Sequence, residues 1–462
     1  MMYAIIIAGI ILLGLFSVRQ EDTDSFNAAF GNAGDHLSTF NMGFAITGGM
    51  RALTREVSYK NALIIGQSGS GKTSTVLIGS VFTLSRGNNS VAIMDVSGEI
   101  FQLTSGYLAS QGYKIICIDF GENSDGFNPL STCKTPNDIQ RVAQILVKNS
   151  NVESKSDQFW STAGEMMLST FMQYLLFYAE PQYHSMANVL AMIETFAAEP
   201  EKIDKLFVKV DEKLLRSYKA LVATPDRTLQ SIISTAIATL KIFKNPAVAR
   251  CTAFNTINIP SMRMEKTALF ICIPVNQVNF LAPISALLFE SLFQEMLSRI
   301  PDKNECACFF LLDELVTMRF QNLGIVYSNC RKYRCGCMGL IQDERMLEMN
   351  YSSAEAHAIK TNSFSKVYLQ GQPLGTSLQL QEALGQRIVI NEKGIEKRVH
   401  LMEAPAIRMS KEAIIFLGAE LPLKEKMHPY YNHFVFNNRT KITPYQAIKK
   451  IPFDEPPIIP LD

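Results

Sequence analysis

The stretch "LIIGQSGSGKTST", from Leu63 to Thr75, joins a short apolar run to a glycine-rich loop that ends in Gly-Lys-Thr. Residues 66–73 match the pattern G-x-x-x-x-G-K-[ST] at every specified position. Glycines in such a loop let backbone N–H groups approach phosphate oxygens, because no Cβ stands in the way. The preceding "NALII" predicts a buried strand, and the following "TSTVLIGSVFTL" predicts a helix. The stretch therefore predicts a P-loop between a strand and a helix.

Each part of this loop has an expected role in binding a nucleoside triphosphate. Lys72 is expected to reach the β- and γ-phosphates, and the Thr73 hydroxyl is expected to ligate Mg²⁺. The helix that begins near Thr73 directs its positive N-terminal end at the phosphates. The residues predicted to bind ATP with Mg²⁺ are Gly66, Gln67, Ser68, Gly69, Ser70, Gly71, Lys72, Thr73 and Ser74.

A pair of acids follows a second apolar run, in "ACFFLLDELVTM". The carboxyl end of a strand is where a P-loop fold presents acids to the metal and to the attacking water. We expect Asp313 to hold Mg²⁺, and Glu314 to orient and deprotonate the water. The alternative is an ordinary turn at the end of a strand. We find no base-reading motif typical of GTPases, and the paired acids favour ATP.

Two further residues are candidates for catalysis. "CGCMGLIQDE" ends an apolar run with Gln342, whose amide is placed to sense the γ-phosphate, the alternative being a polar surface cap. "NCRKYRCG" places Arg331, Lys332 and Arg334 at the end of a predicted helix. Arg331 is our candidate for an arginine that reaches the nucleotide of a neighbouring subunit. Its alternative is a solvated basic helix end.

Composition limits the class of protein. The 462 residues are 47% hydrophobic and 19% charged, which indicates an ordered chain of two or three domains. A net charge of +1 excludes a uniformly basic nucleic-acid coat but not a local basic channel. Nine cysteines, an odd number, favour a reducing compartment. A zinc site formed by cysteines 306, 308, 335 and 337 is a minor alternative to buried core cysteines.

The first 18 residues, "MMYAIIIAGIILLGLFSV", carry no charged side chain. As a helix they span about 27 Å, enough for the hydrocarbon core of a bilayer. The alternatives are an apolar lead-in helix and a signal peptide. A signal peptide is disfavoured because no basic region precedes the apolar run and no small-residue cleavage site follows it. Arg19 weakly favours a cytoplasmic body, and the need for ATP favours it more strongly. We therefore predict an N-terminal transmembrane helix.

Seven short apolar runs predict strands that are buried on both faces, as in a parallel sheet. They are "NALIIG", "SVAIMD", "KIICIDF", "ALFICIP", "CACFFLLDE", "CGCMGLIQ" and "KVYLQG". From residue 136 to 243 no strand is indicated, and apolar residues recur at helical spacing. The fold class is α/β with a central, mainly parallel sheet and a helical insertion.

These patterns divide the chain into segments. Residues 1–18 are the predicted anchor, 19–58 a membrane-proximal linker and 451–462 an extended, proline-rich tail. The nucleotide-binding domain comprises residues 59–150 and 241–450. An all-α domain of residues 151–240 is inserted between its two parts.

Several stretches together resemble one family, the type IV secretion coupling proteins of conjugation, of the TraG/TraD type. Besides the P-loop they are "AIMDVSGEIFQLTSGYL", "GFNPL", "DQFWSTAGEMML", "FLLDE", "GLIQDE", "KVYLQGQPLGTS" and "FLGAELPLKEKMHPYY". The P-loop is widespread, whereas the series "DVSGE", "FNPL" and "QFW" is much more specific. Ser97 departs from the family, which usually has lysine at that position.

The resemblance implies a RecA-like P-loop ATPase of the FtsK–HerA superfamily that forms a ring, expected to be a hexamer. It implies a bacterial inner-membrane protein with its ATPase body in the cytoplasm. ATP hydrolysis would drive single-stranded DNA and its attached relaxase towards the secretion channel, in contact with the channel components and their ATPases. Carried over to this sequence, Gln342 resembles the family's glutamine motif and Arg331 its trans-acting arginine.

Other functions remain open from the sequence. The same motor would serve protein effectors instead of DNA, or act as an FtsK–HerA-type DNA pump. A third class is a membrane-anchored docking protein in which the nucleotide only controls assembly. Glu314 argues against that class, because binding alone needs no catalytic base.

Overall fold

The computed structural model describes residues 27–150, 158–390 and 394–461, and a nine-stranded sheet organises them. Across this sheet the strand order is β11-β10-β7-β1-β6-β5-β2-β4-β3. Its strands are β1 (Ala62–Ile65), β2 (Asn89–Asp95), β3 (Lys114–Ile118), β4 (Thr267–Cys272), β5 (Ala307–Leu312), β6 (Cys335–Ile341), β7 (Ser365–Tyr368), β10 (Ala413–Leu417) and β11 (Leu423–Glu425). A separate hairpin consists of β8 (Gln386–Ile390) and β9 (Glu396–His400).

The seven strands from β7 to β3 in this order are all parallel, and β10 joins β7 in the antiparallel direction. They are the seven strands predicted from the apolar runs, and that prediction is confirmed. In the ladders Ile65 lies opposite Ile341, and Met94 opposite Leu312. The carboxyl ends of β1, β6, β5 and β2 therefore meet at one edge of the sheet.

Helices cover both faces of the sheet, and a π-helical turn over Lys72–Leu77 leads into α2. The helices are α1 (Arg55–Ser58), α2 (Ile78–Leu84), α3 (Glu99–Ser110), α4 (Pro136–Asn149), α5 (Gln158–Tyr178), α6 (Met186–Ala198), α7 (Pro200–Phe207), α8 (Glu212–Val222), α9 (Asp226–Leu240), α10 (Pro246–Ala253), α11 (Val278–Met296), α12 (Leu323–Asn329), α13 (Arg345–Asn350), α14 (Ser353–Thr361), α15 (Leu374–Leu384), α16 (Ala404–Met409) and α17 (Phe434–Arg439). Between β3 and β4 the described residues form helices and no strand.

The two faces of the sheet carry separate apolar cores. On one face α4, α11 and α12 pack over alternate strand residues, and the rings of Phe293 and Phe310 lie 4.8 Å apart. On the other face part of the segment 19–58 packs into the core. Phe44 and Ile46 are fully buried there, and the Phe44 ring contacts that of Phe309 at 5.4 Å.

The predicted anchor, residues 1–18, lies outside the described residues. Among the helices that are described, none is both long and apolar enough to cross a membrane.

All nine cysteines are buried and unpaired by disulfides. β5 and β6 are neighbours, and Cys308 lies opposite Cys335 in their ladder. Within the described ranges, no group of three or more His, Cys, Asp or Glu residues is placed to hold a metal ion. These thiols are core residues of the strands, and the zinc alternative has no support.

The C-terminal tail, from residue 443 to 461, has no helix or strand but is held by specific contacts. Lys450 Nζ lies 2.8 Å from the buried carboxylate of Asp125, which follows β3. The Ile459 N–H donates to Asn188 Oδ1 at 3.0 Å, and the Ile459 side chain is buried. The tail thus connects the edge of the sheet to helix α6.

Candidate nucleotide-binding site

The P-loop leaves the carboxyl end of β1 at the edge where the parallel strands end. The Gly66 N–H donates to the carbonyl of Ile341 at 3.1 Å, which places the loop beside the end of β6. Gly69 and Gly71 have φ angles of 77° and 90°, a region that favours glycine. A Cβ on Gly66 would lie 2.5 Å from Ser70 Oγ. The backbone conformation therefore favours glycine at positions 69 and 71, and a side chain at position 66 would crowd that of Ser70.

Lys72 is held at the mouth of this loop. Its ammonium donates to the carbonyls of Gly66 at 2.6 Å and Gln67 at 3.2 Å, and the residue is buried. Burial lowers the pKa of Lys72, while the nearby Glu314 and Asp313 oppose that shift. The contacts show a cation aimed at the space that the loop encloses, as phosphate binding requires.

Asp313 and Thr73 meet directly at this edge. The Thr73 hydroxyl donates to Asp313 Oδ1 at 3.0 Å. Burial raises the pKa of Asp313 to about 7, with further increases from the charges of Glu314 and Asp95, while Thr73 and Lys72 oppose the shift. A hydroxyl and a carboxylate at this separation, next to a P-loop, are the oxygen ligands that Mg²⁺ takes in P-loop enzymes. The residues therefore fit the ion.

Asp95 is a neighbour to which the sequence analysis assigned no role. It ends β2 beside Asp313, is fully buried, and accepts the Phe101 N–H at 2.8 Å through Oδ2. Its Oδ1 is buried and has no hydrogen-bond partner in the described part of the chain. Burial raises the pKa of Asp95 to about 6. The sequence did contain a signal for Asp95, because this acid ends an apolar run just as Asp313 follows one.

Glu314 follows Asp313 with a φ angle of 64°, in the left-handed region. A residue other than glycine in this conformation costs free energy, and such residues cluster at functional sites. Glu314 is only partly buried, and its negative charge acts to raise the pKa of both Lys72 and Asp313. The structure thus brings Lys72, Thr73, Asp313 and Glu314 together at one edge.

Gln342 and Arg331 lie at opposite ends of β6. Gln342 directly follows the strand, which lies between β1 and β5, so it is placed between the P-loop and the acids. Arg331 precedes the strand and is separated from this edge by roughly 20 Å of extended chain. It is exposed, and it does not join the nucleotide site of its own chain.

The pKa of Asp313 leads to a first prediction. An aspartate with a pKa of about 7 when folded and about 3.9 when unfolded binds more protons in the folded state between these values. The nucleotide-free protein therefore loses stability as the pH rises from about 4 to about 7. Asp313→Asn removes the buried charge, and we expect it to raise the free energy of unfolding at pH 8 by about 2–4 kcal/mol. This difference in the free energy of unfolding between Asp313→Asn and the wild type should become smaller as the pH falls towards 4.

Urea titrations of the nucleotide-free protein across this pH range measure the effect. Asp226→Asn, at an exposed helix start, is the matched control and should leave the pH dependence unchanged. Parallel pH profiles for the wild type and Asp313→Asn would contradict the assignment of a buried, ionising carboxyl group.

The sequence of this chain is similar to those of known proteins of conjugative DNA transfer. The family described as "Type IV secretory system Conjugative DNA transfer" matches residues 33–404. Protein VirD4 of Rhizobium radiobacter is 22% identical over 341 residues, which cover 71% of this chain and 48% of that protein. Protein VirD4 of Rhizobium rhizogenes is 21% identical over 407 residues, covering 80% and 58%. The chain spans about half the length of these curated relatives.

Among solved structures, the bacterial conjugative coupling protein TrwBdeltaN70 with sulphate superposes with a TM-score of 0.70 at 17% identity, covering 91% of this chain and 95% of that one. TrwB in complex with ADP and Mg²⁺ superposes with a TM-score of 0.63 at 17% identity, covering 88% and 90%. These likenesses show a shared fold. Together with the family match over most of its length, they establish that the chain belongs to the type IV secretory system family of conjugative DNA transfer.

Proposed function

We propose that this protein is a membrane-anchored ring ATPase that couples a DNA–relaxase substrate to a type IV secretion channel and drives its transfer during conjugation. The observation that carries the proposal is the hydrogen bond from Thr73 to Asp313 at the mouth of a complete P-loop, in a member of the conjugative DNA transfer family. TrwB, which shares the fold, has been obtained with ADP and Mg²⁺ and with an ATP analogue.

The loop residues would bind ATP through backbone amides and Lys72. Thr73 and Asp313 would hold Mg²⁺, which would supply positive charge to neutralise the phosphates. Asp95, beside Asp313, would accept hydrogen bonds from water around this position, because its buried Oδ1 has no partner among the described residues.

Hydrolysis would then depend on three residues. Glu314 would take a proton from the attacking water, and Gln342 would contact the γ-phosphate from the end of β6. Arg331 is too distant to act within its own chain, so it would act on a neighbour's nucleotide. It lines an open cleft of about 700 Å³ together with Lys60 and Lys366.

The remaining parts of the proposal concern the membrane anchor, the ring and the domain that meets the cargo. Residues 1–18 would anchor the chain in the bacterial inner membrane, with the ATPase body in the cytoplasm and six copies forming the ring. Residues 151–240 would form the all-α domain that meets the cargo, and the secretion channel and its ATPases would receive it.

One feature of the helical region supports DNA as cargo. In the segment from the start of α7 to the end of α8 four lysines are exposed, and they make no ion pair with other described residues, unlike Lys202 and Arg216 of the same segment. We call them the basic surface: Lys205, Lys209, Lys213 and Lys219. A surface of this kind binds phosphates without reading bases.

Salt titration tests this contact. Single-stranded DNA should bind the full-length protein without sequence preference, with an affinity that falls steeply as salt rises. Each lost phosphate contact lowers the slope of log K against log[salt] by about 0.7, so changing all four lysines to glutamine should lower it by up to about 3. Fluorescence anisotropy with a labelled oligonucleotide measures the slope.

The control changes the same number of charges elsewhere. The exposed lysines to be replaced by glutamine are Lys134, Lys303, Lys411 and Lys441. This variant should keep the wild-type slope. A wild-type slope near zero, or absence of single-strand binding by the assembled protein, would favour protein effectors as the cargo.

A further inference from the structure

The cleft that Arg331 lines has one face of strands β7 and β10 as its floor. Lys366 and Tyr368 lie on the same face of β7, because side chains alternate along a strand, and Phe416 of β10 pairs with Lys366. All three are half-buried, whereas Val367, on the other face of β7, is fully buried. This part of the sheet is therefore open to a ligand from one side.

Helices form the walls of the cleft. One wall is α15, and the other consists of α12, the turn that follows it and the end of α14. The volume of about 700 Å³ lies within the range of small-molecule sites, roughly 300–1,000 Å³. None of the P-loop residues 66–74 lines the cleft. The cleft is thus a space separate from the P-loop and large enough for a small organic molecule.

Three cations line this cleft, and none of them forms an ion pair within the described part of the chain. Lys60 and Lys366 are half-buried, and Arg331 is exposed. The Lys60 ammonium lies 4.2 Å from the centre of the Phe364 ring, which provides no negative charge. A cleft lined by cations without counter-ions has a positive potential and attracts anions.

Glu344 is the one acid among the described residues that line the cleft. Its carboxylate accepts a hydrogen bond from the Tyr368 hydroxyl. Burial and the negative charge of Glu344 raise the pKa of Tyr368, so this hydroxyl keeps its proton and remains a donor. One acid against three cations leaves the cleft with an excess of positive charge.

Aromatic rings lie beside these cations. Phe364, Tyr368 and Phe416 are half-buried, and the rings of Tyr368 and Phe416 stand edge to face with centres 6.0 Å apart. Partly exposed rings can pack against a flat aromatic ligand, and an arginine fork can bind a phosphate through two hydrogen bonds. Rings and cations together fit an aromatic base that carries a phosphate.

We propose that this cleft binds a free mononucleotide, in addition to the ATP of the P-loop. Its phosphate contacts Arg331, Lys60 and Lys366. Its base packs against the rings of Phe364 and Phe416. Bound in this way, the mononucleotide holds Arg331 within its own subunit and keeps it from a neighbour's nucleotide. This consequence, which rests on the proposed function, is inhibition of ATP turnover by the mononucleotide.

Binding of adenosine 5′-monophosphate (AMP) to full-length Lys72→Ala protein tests the site. AMP has no β- or γ-phosphate for a P-loop to hold, and the substitution removes the P-loop cation from every subunit. Isothermal titration calorimetry should still show saturable binding of AMP. Replacing Lys60 and Lys366 together by glutamine should lower the affinity about 10- to 100-fold, because each supplies a charge-assisted hydrogen bond. Phe416→Leu should weaken binding of AMP but not of inorganic phosphate.

The matched control replaces Lys411 and Lys426, two exposed lysines outside the cleft, by glutamine and should leave the affinity for AMP unchanged. Thermal denaturation of each variant checks that it is folded. Absence of AMP binding to folded Lys72→Ala protein would overturn the proposal. So would an equal loss of affinity in the cleft pair and the control pair.

Inhibition kinetics locate the ligand independently. In the wild type AMP should slow ATP turnover without competing with ATP, and the cleft pair of lysine substitutions should relieve this inhibition. Competitive inhibition that the cleft pair retains would place AMP in the P-loop and overturn the proposal. Protein that binds AMP in the cleft but hydrolyses no ATP would support the site while contradicting the proposed function.

Discussion

Glu314→Gln is expected to bind ATP as the wild type does and to hydrolyse it roughly 10²- to 10⁴-fold more slowly. The amide keeps the size and the hydrogen-bonding capacity of the side chain but cannot take a proton from the attacking water. The strained backbone at residue 314, with its φ of 64°, places this side chain at the edge that holds Lys72 and Asp313. Steady-state phosphate release and equilibrium binding of an ATP analogue together measure the two effects.

Glu122→Gln is the matched control, since Glu122 is an exposed acid in the loop that follows β3 at the same edge of the sheet. Its rate should be close to that of the wild type. Lys72→Ala should differ from Glu314→Gln by weakening binding itself, because the phosphates lose their cation. A near-wild-type rate for Glu314→Gln would show that another group is the base.

Arg331→Ala is expected to form rings and bind ATP, yet to lose roughly 10³- to 10⁵-fold in turnover. The P-loop supplies Lys72 and backbone amides but no second cation for the charge that develops on the transferred phosphoryl group. Arg331 lies at the far end of β6 from its own P-loop, so we propose that it supplies this charge to the nucleotide of a neighbouring subunit. Activity should therefore rise more than linearly with protein concentration as rings assemble.

Mixing experiments test the assignment in trans. In rings that contain both Arg331→Ala and Lys72→Ala subunits, some interfaces pair an intact P-loop with an intact arginine, and turnover should partly recover. Lys332→Ala, the adjacent exposed lysine, should behave as the wild type. Absence of recovery in rings shown to be mixed would contradict the role of Arg331.

Local signals explain why much of the fold and site was predictable. Five of the seven parallel strands, β1, β2, β4, β5 and β6, are buried along their whole length, so their sequences are largely apolar and stand out from the helices. The P-loop and the Asp313–Glu314 pair are equally local, because each lies directly after such a strand. Because the strands are parallel, their carboxyl ends meet at one edge of the sheet, and the residues that follow those ends lie close together.

Other elements were not predicted. The run "AIIFL" of β10 carried the same apolar signal as the parallel strands, whereas the short β11 forms by pairing with β10, and β8 and β9 are exposed strands. The loops before β1 are buried through close backbone approach: a Cβ on Gly43 would lie 2.5 Å from the Leu53 carbonyl. Such packing has no periodicity.

The candidate site also contains residues whose roles the local sequence alone does not reveal. Asp95 ends β2 as Asp313 follows β5, yet its importance emerges only when the sheet order places β2 beside β5. The position of Arg331 relative to a nucleotide depends on how subunits assemble, which one chain does not contain. Its role therefore stays a prediction.

Transfer of DNA between cells tests the central claim most directly. The gene for this protein would be deleted from its native donor cells, and the wild type, Glu314→Gln or Glu122→Gln would be expressed there at equal levels. The frequency of DNA transfer to recipient cells would then be compared. The proposed function predicts that wild type and Glu122→Gln restore transfer, and that Glu314→Gln lowers it to the level of the deletion. Full restoration by Glu314→Gln, or no loss of transfer on deletion, would contradict an ATP-driven role in conjugation.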